Sequence, residues 1–92
     1  MNKGALGLAY AAKKVVLGAD YVVTAMRDKK VHLVLLASDA SENTKKKISD
    51  KAKTYNVLLV DIHSSYEISQ ALGKNDIKVV GITDKGFSML LK

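Results

Sequence analysis

His63, Ser64 and Ser65 stand side by side, and a hydroxyl next to an imidazole is the raw material of a serine nucleophile. Adjacent residues on one chain rarely reach nucleophile–base geometry, however. Ser64 with Glu67 three residues later has a simpler use as a helix capping box. Neither His63 nor His32 belongs to a set of three or four ligands at metal-binding spacing, so no metal centre is expected. The chain has no cysteine, which excludes disulfides, thiolate zinc sites and cysteine nucleophiles. Gly4 and Gly7 lack the preceding strand and the spacing of a dinucleotide loop, and no Gly-Lys-Ser/Thr phosphate loop occurs. The sequence therefore predicts no catalysis, no metal and no cofactor.

What remains is charge. Fifteen Lys and Arg against nine Asp and Glu give a net charge of +6 in 92 residues, which points to a polyanionic partner. Lys13, Lys14, Arg27, Lys29 and Lys30 form one cluster in the sequence, and Lys45, Lys46, Lys47, Lys51 and Lys53 form another. The aromatic residues are Tyr10, Tyr21, Tyr55, Tyr66 and Phe87, too few and too scattered for a base-stacking platform on strands. Nucleic-acid binding by this chain is expected to rest on backbone contacts and a helix end.

The elements that must position these groups alternate. An apolar fraction of 48% and a charged fraction of 26% describe an ordered globular chain, and the length allows one domain, residues 1–92. Apolar spacing predicts a helix from Lys3 to Lys14. A short strand over Val15 to Leu17 follows and ends at Gly18. A second helix is predicted over Ala19 to Asp28, with Val22, Val23 and Met26 facing inward. Val31 to Ala37 is nearly continuous apolar sequence, as in a strand covered on both faces. Asp39 with Glu42 predicts a capping box for a third helix, whose inner stripe is Ile48, Ala52 and Tyr55. Val57 to Ile62 is expected as a second buried strand, and Ser64 starts a helix that stops at Gly73. Lys78 to Thr83 is the last strand, and Asp84 caps a terminal helix. This alternation predicts an α/β fold, a three-layer α/β/α sandwich. No run approaches a membrane span, and the N-terminus lacks a signal pattern, so a cytoplasmic protein is expected, and one domain with no obvious exposed apolar stripe is expected to be a monomer.

Three segments also carry a resemblance: Gly7-Leu8-Ala9 through Lys14-Val15-Val16-Leu17-Gly18, the run from Leu33 through Ser38-Asp39-Ala40-Ser41-Glu42-Asn43-Thr44 to Lys46, and Ala71-Leu72-Gly73-Lys74 leading into Val79 to Phe87. Together they resemble the kink-turn-binding ribosomal protein family, whose archaeal member is "L-seven-Ae", and most closely its bacterial YlxQ-type branch. The resemblance implies a four-stranded mixed sheet. It also implies a translation-associated protein that binds RNA, either a kink-turn or a structured internal loop, ribosomal RNA included. It places the RNA contact at the helix that begins after Gly18, with Lys14, Gly18, Ala19 and Asp20 as first candidates and Lys13, Arg27, Lys30, Asn43 and Lys74 next. Four positions depart from the ribosomal pattern: Ala19, Asp20 and Tyr21 replace Thr-Asn-Glu, and Thr24 stands where a lysine is usual. The loop of Gly73 to Asp76 is short and charged where the family has an apolar one. These departures leave a protein-interaction or regulatory role on the same fold as the alternative function.

Overall fold

A computed structural model describes all residues, 1–92. The elements are α1 (Lys3–Ala11), β1 (Val15–Leu17), α2 (Ala19–Arg27), β2 (Leu33–Leu36), α3 (Glu42–Thr54), β3 (Leu58–Val60), α4 (Ser65–Leu72), β4 (Val79–Ile82) and α5 (Lys85–Leu91). The four strands form one sheet in the order β1-β4-β2-β3. β4 is antiparallel to both β1 and β2, and β2 is parallel to β3, so the sheet is mixed. Every residue of β2 and β4 is buried, because helices cover both faces of these central strands. α2 packs with α3, and α1 packs with α4 and α5. The expected three-layer α/β/α sandwich is the observed architecture. No helix is long and apolar enough to cross a membrane.

Leu6, Met26, Leu33, Leu35, Leu36, Ile48, Ile68 and Ile82 are fully buried in the core. Gly81 in β4 is the close-approach point. A Cβ there would meet Val31 Cγ2 at 3.3 Å and Val22 Cγ1 at 3.4 Å, so α2 and the Val31 segment lie tight on the strand.

Three expectations are corrected. Asp39 does not cap α3. Ser41 does, with its hydroxyl accepting from the Thr44 amide, and Asp39 instead accepts from Ser65 N at 2.7 Å and Ser65 Oγ at 2.6 Å at the start of α4. The second strand is not buried throughout. β3 is an edge strand, and Leu58 and Ile62 are 52% and 76% exposed. The first helix also ends earlier than its apolar spacing predicts. Its chain turns at Lys13, which holds φ at 60°, in the left-handed region.

Because β1, β2 and β3 run the same way and β4 runs against them, the sheet has two distinct ends. At one end β1, β2 and β3 finish, and α2, α3 and α4 begin. At the other, α1, α2 and α3 finish and β1, β2 and β3 begin. α3, at 13 residues, spans about 20 Å between them.

Candidate functional site

The end where helices begin is organised around Gly18. It holds φ at 98° and ψ at 145°, a conformation that L-residues with a Cβ rarely adopt, and its own amide is tied to the Val79 carbonyl at 3.0 Å. This turn directs the chain out of β1 and straight into α2. Gly18 has no side chain with which to cap the helix, and the first intrahelical bond is from Val22 N to Gly18 O. The amides of Ala19, Asp20 and Tyr21 are thus left as donors at the positive end of the helix dipole. A shallow cavity of about 230 Å³ opens beside them, lined by Gly18, Ala19, Thr44, Asp76, Ile77, Lys78 and Val79. The Tyr21 side chain stands next to the turn and is 74% exposed. A Cβ on residue 18 would lie 3.8 Å from its ring, so the obstacle to substituting Gly18 is the backbone angle, not lack of space.

Asp20 is exposed and pairs with Lys47 of α3. The hydrogen bond and charge of that ammonium lower the Asp20 pKa, so the carboxylate is ionised at neutral pH. The other cations of this end are paired as well. Lys45 lies 3.7 Å from Glu42 and Lys46 lies 3.2 Å from Asp50. Lys78 lies 3.1 Å from Asp76 and 3.7 Å from Asp39. The Asp76 hydrogen bond is the main cause of an upward shift in the Lys78 pKa. The two hydrogen bonds from Ser65 hold Asp39 at about 2, far below the usual carboxylate value. His63 Nδ1 sits 3.3 Å from Glu67 across one turn, which accounts for it without a nucleophile, and no group of three metal-ligating side chains occurs.

The nine candidate residues do not form one site. Gly18, Ala19 and Asp20 are together, and Asn43 is exposed in the first turn of α3 at the same end. Lys74 is held elsewhere, its ammonium 5.3 Å from the centroid of the Tyr10 ring on α1. Lys13 and Lys14 precede β1, while Arg27 and Lys30 lie at the finish of α2. All four therefore belong to the opposite end of the sheet. Sequence reasoning missed Lys47 and Ile77 as neighbours of the helix start. The lysine run was visible, but nothing local to it points to Asp20, 27 residues away.

A family model, that of the ribosomal protein L7Ae/L30e/S12e/Gadd45 family, matches residues 2–92. The chain is 42% identical over 87 residues to the RNA-binding protein YlxQ of Enterococcus faecium, covering 95% of this chain and 84% of that protein. It is 43% identical over 83 residues to the RNA-binding protein YlxQ of Bacillus subtilis (strain 168), covering 90% and 83%. Among solved structures, a Bacillus halodurans protein of unknown function superposes with a TM-score of 0.93 at 37% identity, covering 97% of this chain and 90% of that one. A Giardia lamblia 15.5kD RNA binding protein shares the fold, with a TM-score of 0.80 at 16% identity and coverage of 97% and 77%.

Proposed function

Because this chain belongs to the ribosomal protein L7Ae/L30e/S12e/Gadd45 family, in its YlxQ-type branch, we propose that it is a non-catalytic RNA-binding domain that recognises kinked or internal-loop RNA. The observation that carries this reading is the uncapped start of α2 at Gly18, with unpartnered amides beside an open cavity. Amides at a helix start are fixed donors for phosphate oxygens and base acceptors. They need an RNA whose base edges are accessible. A regular A-form major groove is too deep and narrow, whereas a kink or internal loop opens it.

Asp20 refines the reading toward bases. An ionised carboxylate accepts hydrogen bonds from base amino or imino groups and repels phosphates, while Lys47 beside it moderates that repulsion. Tyr21 offers an exposed ring for stacking at the same turn. Ile77 and Val79 supply apolar surface to the cavity, where the short charged loop alone would not.

A titration into a kink-turn RNA and into an uninterrupted duplex of the same length, each at two salt concentrations, tests this. Preference for the kinked RNA that is lost in Gly18→Val supports it. Equal binding to both RNAs, unaffected by Gly18→Val, rejects it. The second reading, a protein-interaction module, draws on the pairing of Lys45, Lys46, Lys47 and Lys78 with carboxylates at this end. Absence of any RNA binding near 150 mM salt would favour it.

A further inference from the structure

The positive charge of this protein is concentrated at the end where helices finish, away from Gly18. Lys13, Lys14, Arg27, Lys29 and Lys30 surround the starts of β1 and β2. The Lys14 carbonyl accepts from Thr83 N and His32 N donates to the Ile82 carbonyl, so both segments are laced to the same end of β4. β1 and β2 flank β4, which puts their starts about 10 Å apart. Lys51 and Lys53 add charge from the last turn of α3, and Lys85 from the first turn of α5. None of these eight cations has a carboxylate within 4.0 Å, in contrast to the four paired lysines of the Gly18 end. Asp28 and Asp84 are the carboxylates here, and Asp84 is engaged by the Phe87 amide.

A second, independent observation concerns the backbone. α1, α2 and α3 each end in a corner of the same form. Lys14 N donates to Ala9 O and Lys13 N to Tyr10 O; Lys30 N donates to Ala25 O and Lys29 N to Met26 O; Val57 N donates to Ala52 O and Asn56 N to Lys53 O. This Schellman turn requires a left-handed residue, and the three positions are Lys13 at φ 60°, Lys29 at φ 60° and Asn56 at φ 57°. Glycine and asparagine suit that conformation and lysine does not. α3 shows that asparagine makes the corner in this chain, so the corner itself does not ask for lysine. A cation at a helix finish does gain from the dipole, but Arg27 and the last-turn lysines of α3 already provide that.

We propose that this end is a second RNA-binding surface, which grips the phosphate backbone of an RNA segment distinct from the one held at Gly18. The identity of the anion rests on the RNA-binding reading above; the surface itself does not. The two ends face opposite ways across a molecule of 29 × 25 × 18 Å, so an RNA segment docked squarely on one end leaves the other end free. The protein would bridge two RNA segments, with shape selected at one end and charge gripped at the other.

The test uses an uninterrupted RNA duplex as probe, with the wild type and with Lys13→Asn combined with Lys29→Asn, substitutions that keep the corner in the form Asn56 shows. The loss of two phosphate contacts predicts a fall in duplex affinity on the order of 10- to 30-fold near 150 mM salt, and a salt slope shallower by roughly 1.4–1.8. Wild-type affinity in this variant overturns the proposal. Arg27→Gln with Lys30→Gln, on exposed residues of ordinary conformation, provides the same test should the corners fail to fold. Simultaneous binding of kink-turn RNA and duplex supports two surfaces, and mutually exclusive binding overturns them. Loss of duplex binding in the variants, from a wild type that shows no preference for kinked RNA, would uphold this surface while rejecting the assignment at Gly18.

Discussion

The two ends of the sheet are built from the same helices and strands, yet they offer an RNA opposite things. At the Gly18 end helices begin, their amides point outward, and carboxylates gather there as caps and as partners for lysines. At the Lys13 and Lys29 end helices finish, their carbonyls point outward, and cations stand unpaired. Part of this sorting is plain electrostatics, since acids favour helix starts and bases favour helix finishes. What the contrast teaches is that a net charge of +6 does not locate a binding site. The end with the most specific backbone geometry is the one whose cations are already neutralised, so the unusual helix start and the unpaired positive charge are separated in space.

The largest expected effect lies at Gly18. Gly18→Val forces a β-branched residue to φ 98°, and unfolding in denaturant should show a loss of about 1–3 kcal/mol together with the loss of kink preference. A variant that is as stable as wild type would remove the backbone distinction between the ends.

Asp39 comes next, through pH. Its folded-state pKa of about 2 lies below the ordinary value of 3.8, so its contribution is present above pH 4 and is lost as pH falls toward 2. Asp39→Asn should lower stability at neutral pH and flatten the acid limb of the stability profile between pH 4 and 2. If that limb is unchanged, the Ser65 hydrogen bonds are not what fastens α4 to this end.

Asn56→Lys extends the lysine corners to α3. It should cost about 0.5–1 kcal/mol in thermal unfolding while steepening the salt dependence of duplex binding by nearly one contact. A steeper slope with no cost would mean that left-handed lysine is unstrained here. The smallest effect is expected from Asp20→Asn, which removes a charge from an exposed position. Stability should not change measurably, and affinity for kinked RNA should fall a few-fold as a reader of base donors is weakened. A rise in affinity would instead mark the carboxylate as a charge that only repels phosphate.

Much of the fold was legible from residues alone. Ser64, Gly73 and Asp84 mark helix boundaries in the manner their side chains predict, and the continuous apolar run around β2 correctly signals burial on both faces. Asp39 was misread because a capping residue and its helix start need not be neighbours; Ser41, two positions on, was the local cap, and the bond to Ser65 closes over 26 residues. β3 was misread because an apolar run does not reveal whether a strand is central or at an edge. The finish of α1 was hidden because lysine occupies the corner where glycine usually announces it. Lys13 and Lys14 are parted from Gly18 by β1, which the sequence already shows, whereas their sharing an end with Arg27 and Lys30 follows from β4 running against both β1 and β2, a property of topology that no local pattern encodes.

Asp39 has one further consequence. Its carboxylate takes two hydrogen bonds from Ser65 and lies 3.7 Å from Lys78, which in turn reaches Asp76. The connections leading into α3, α4 and β4 are joined through this one side chain. An RNA meeting the Gly18 end would encounter a surface that needs no ordering of loops, so capture there should follow a single kinetic phase, with a rate linear in RNA concentration and no slow step that saturates.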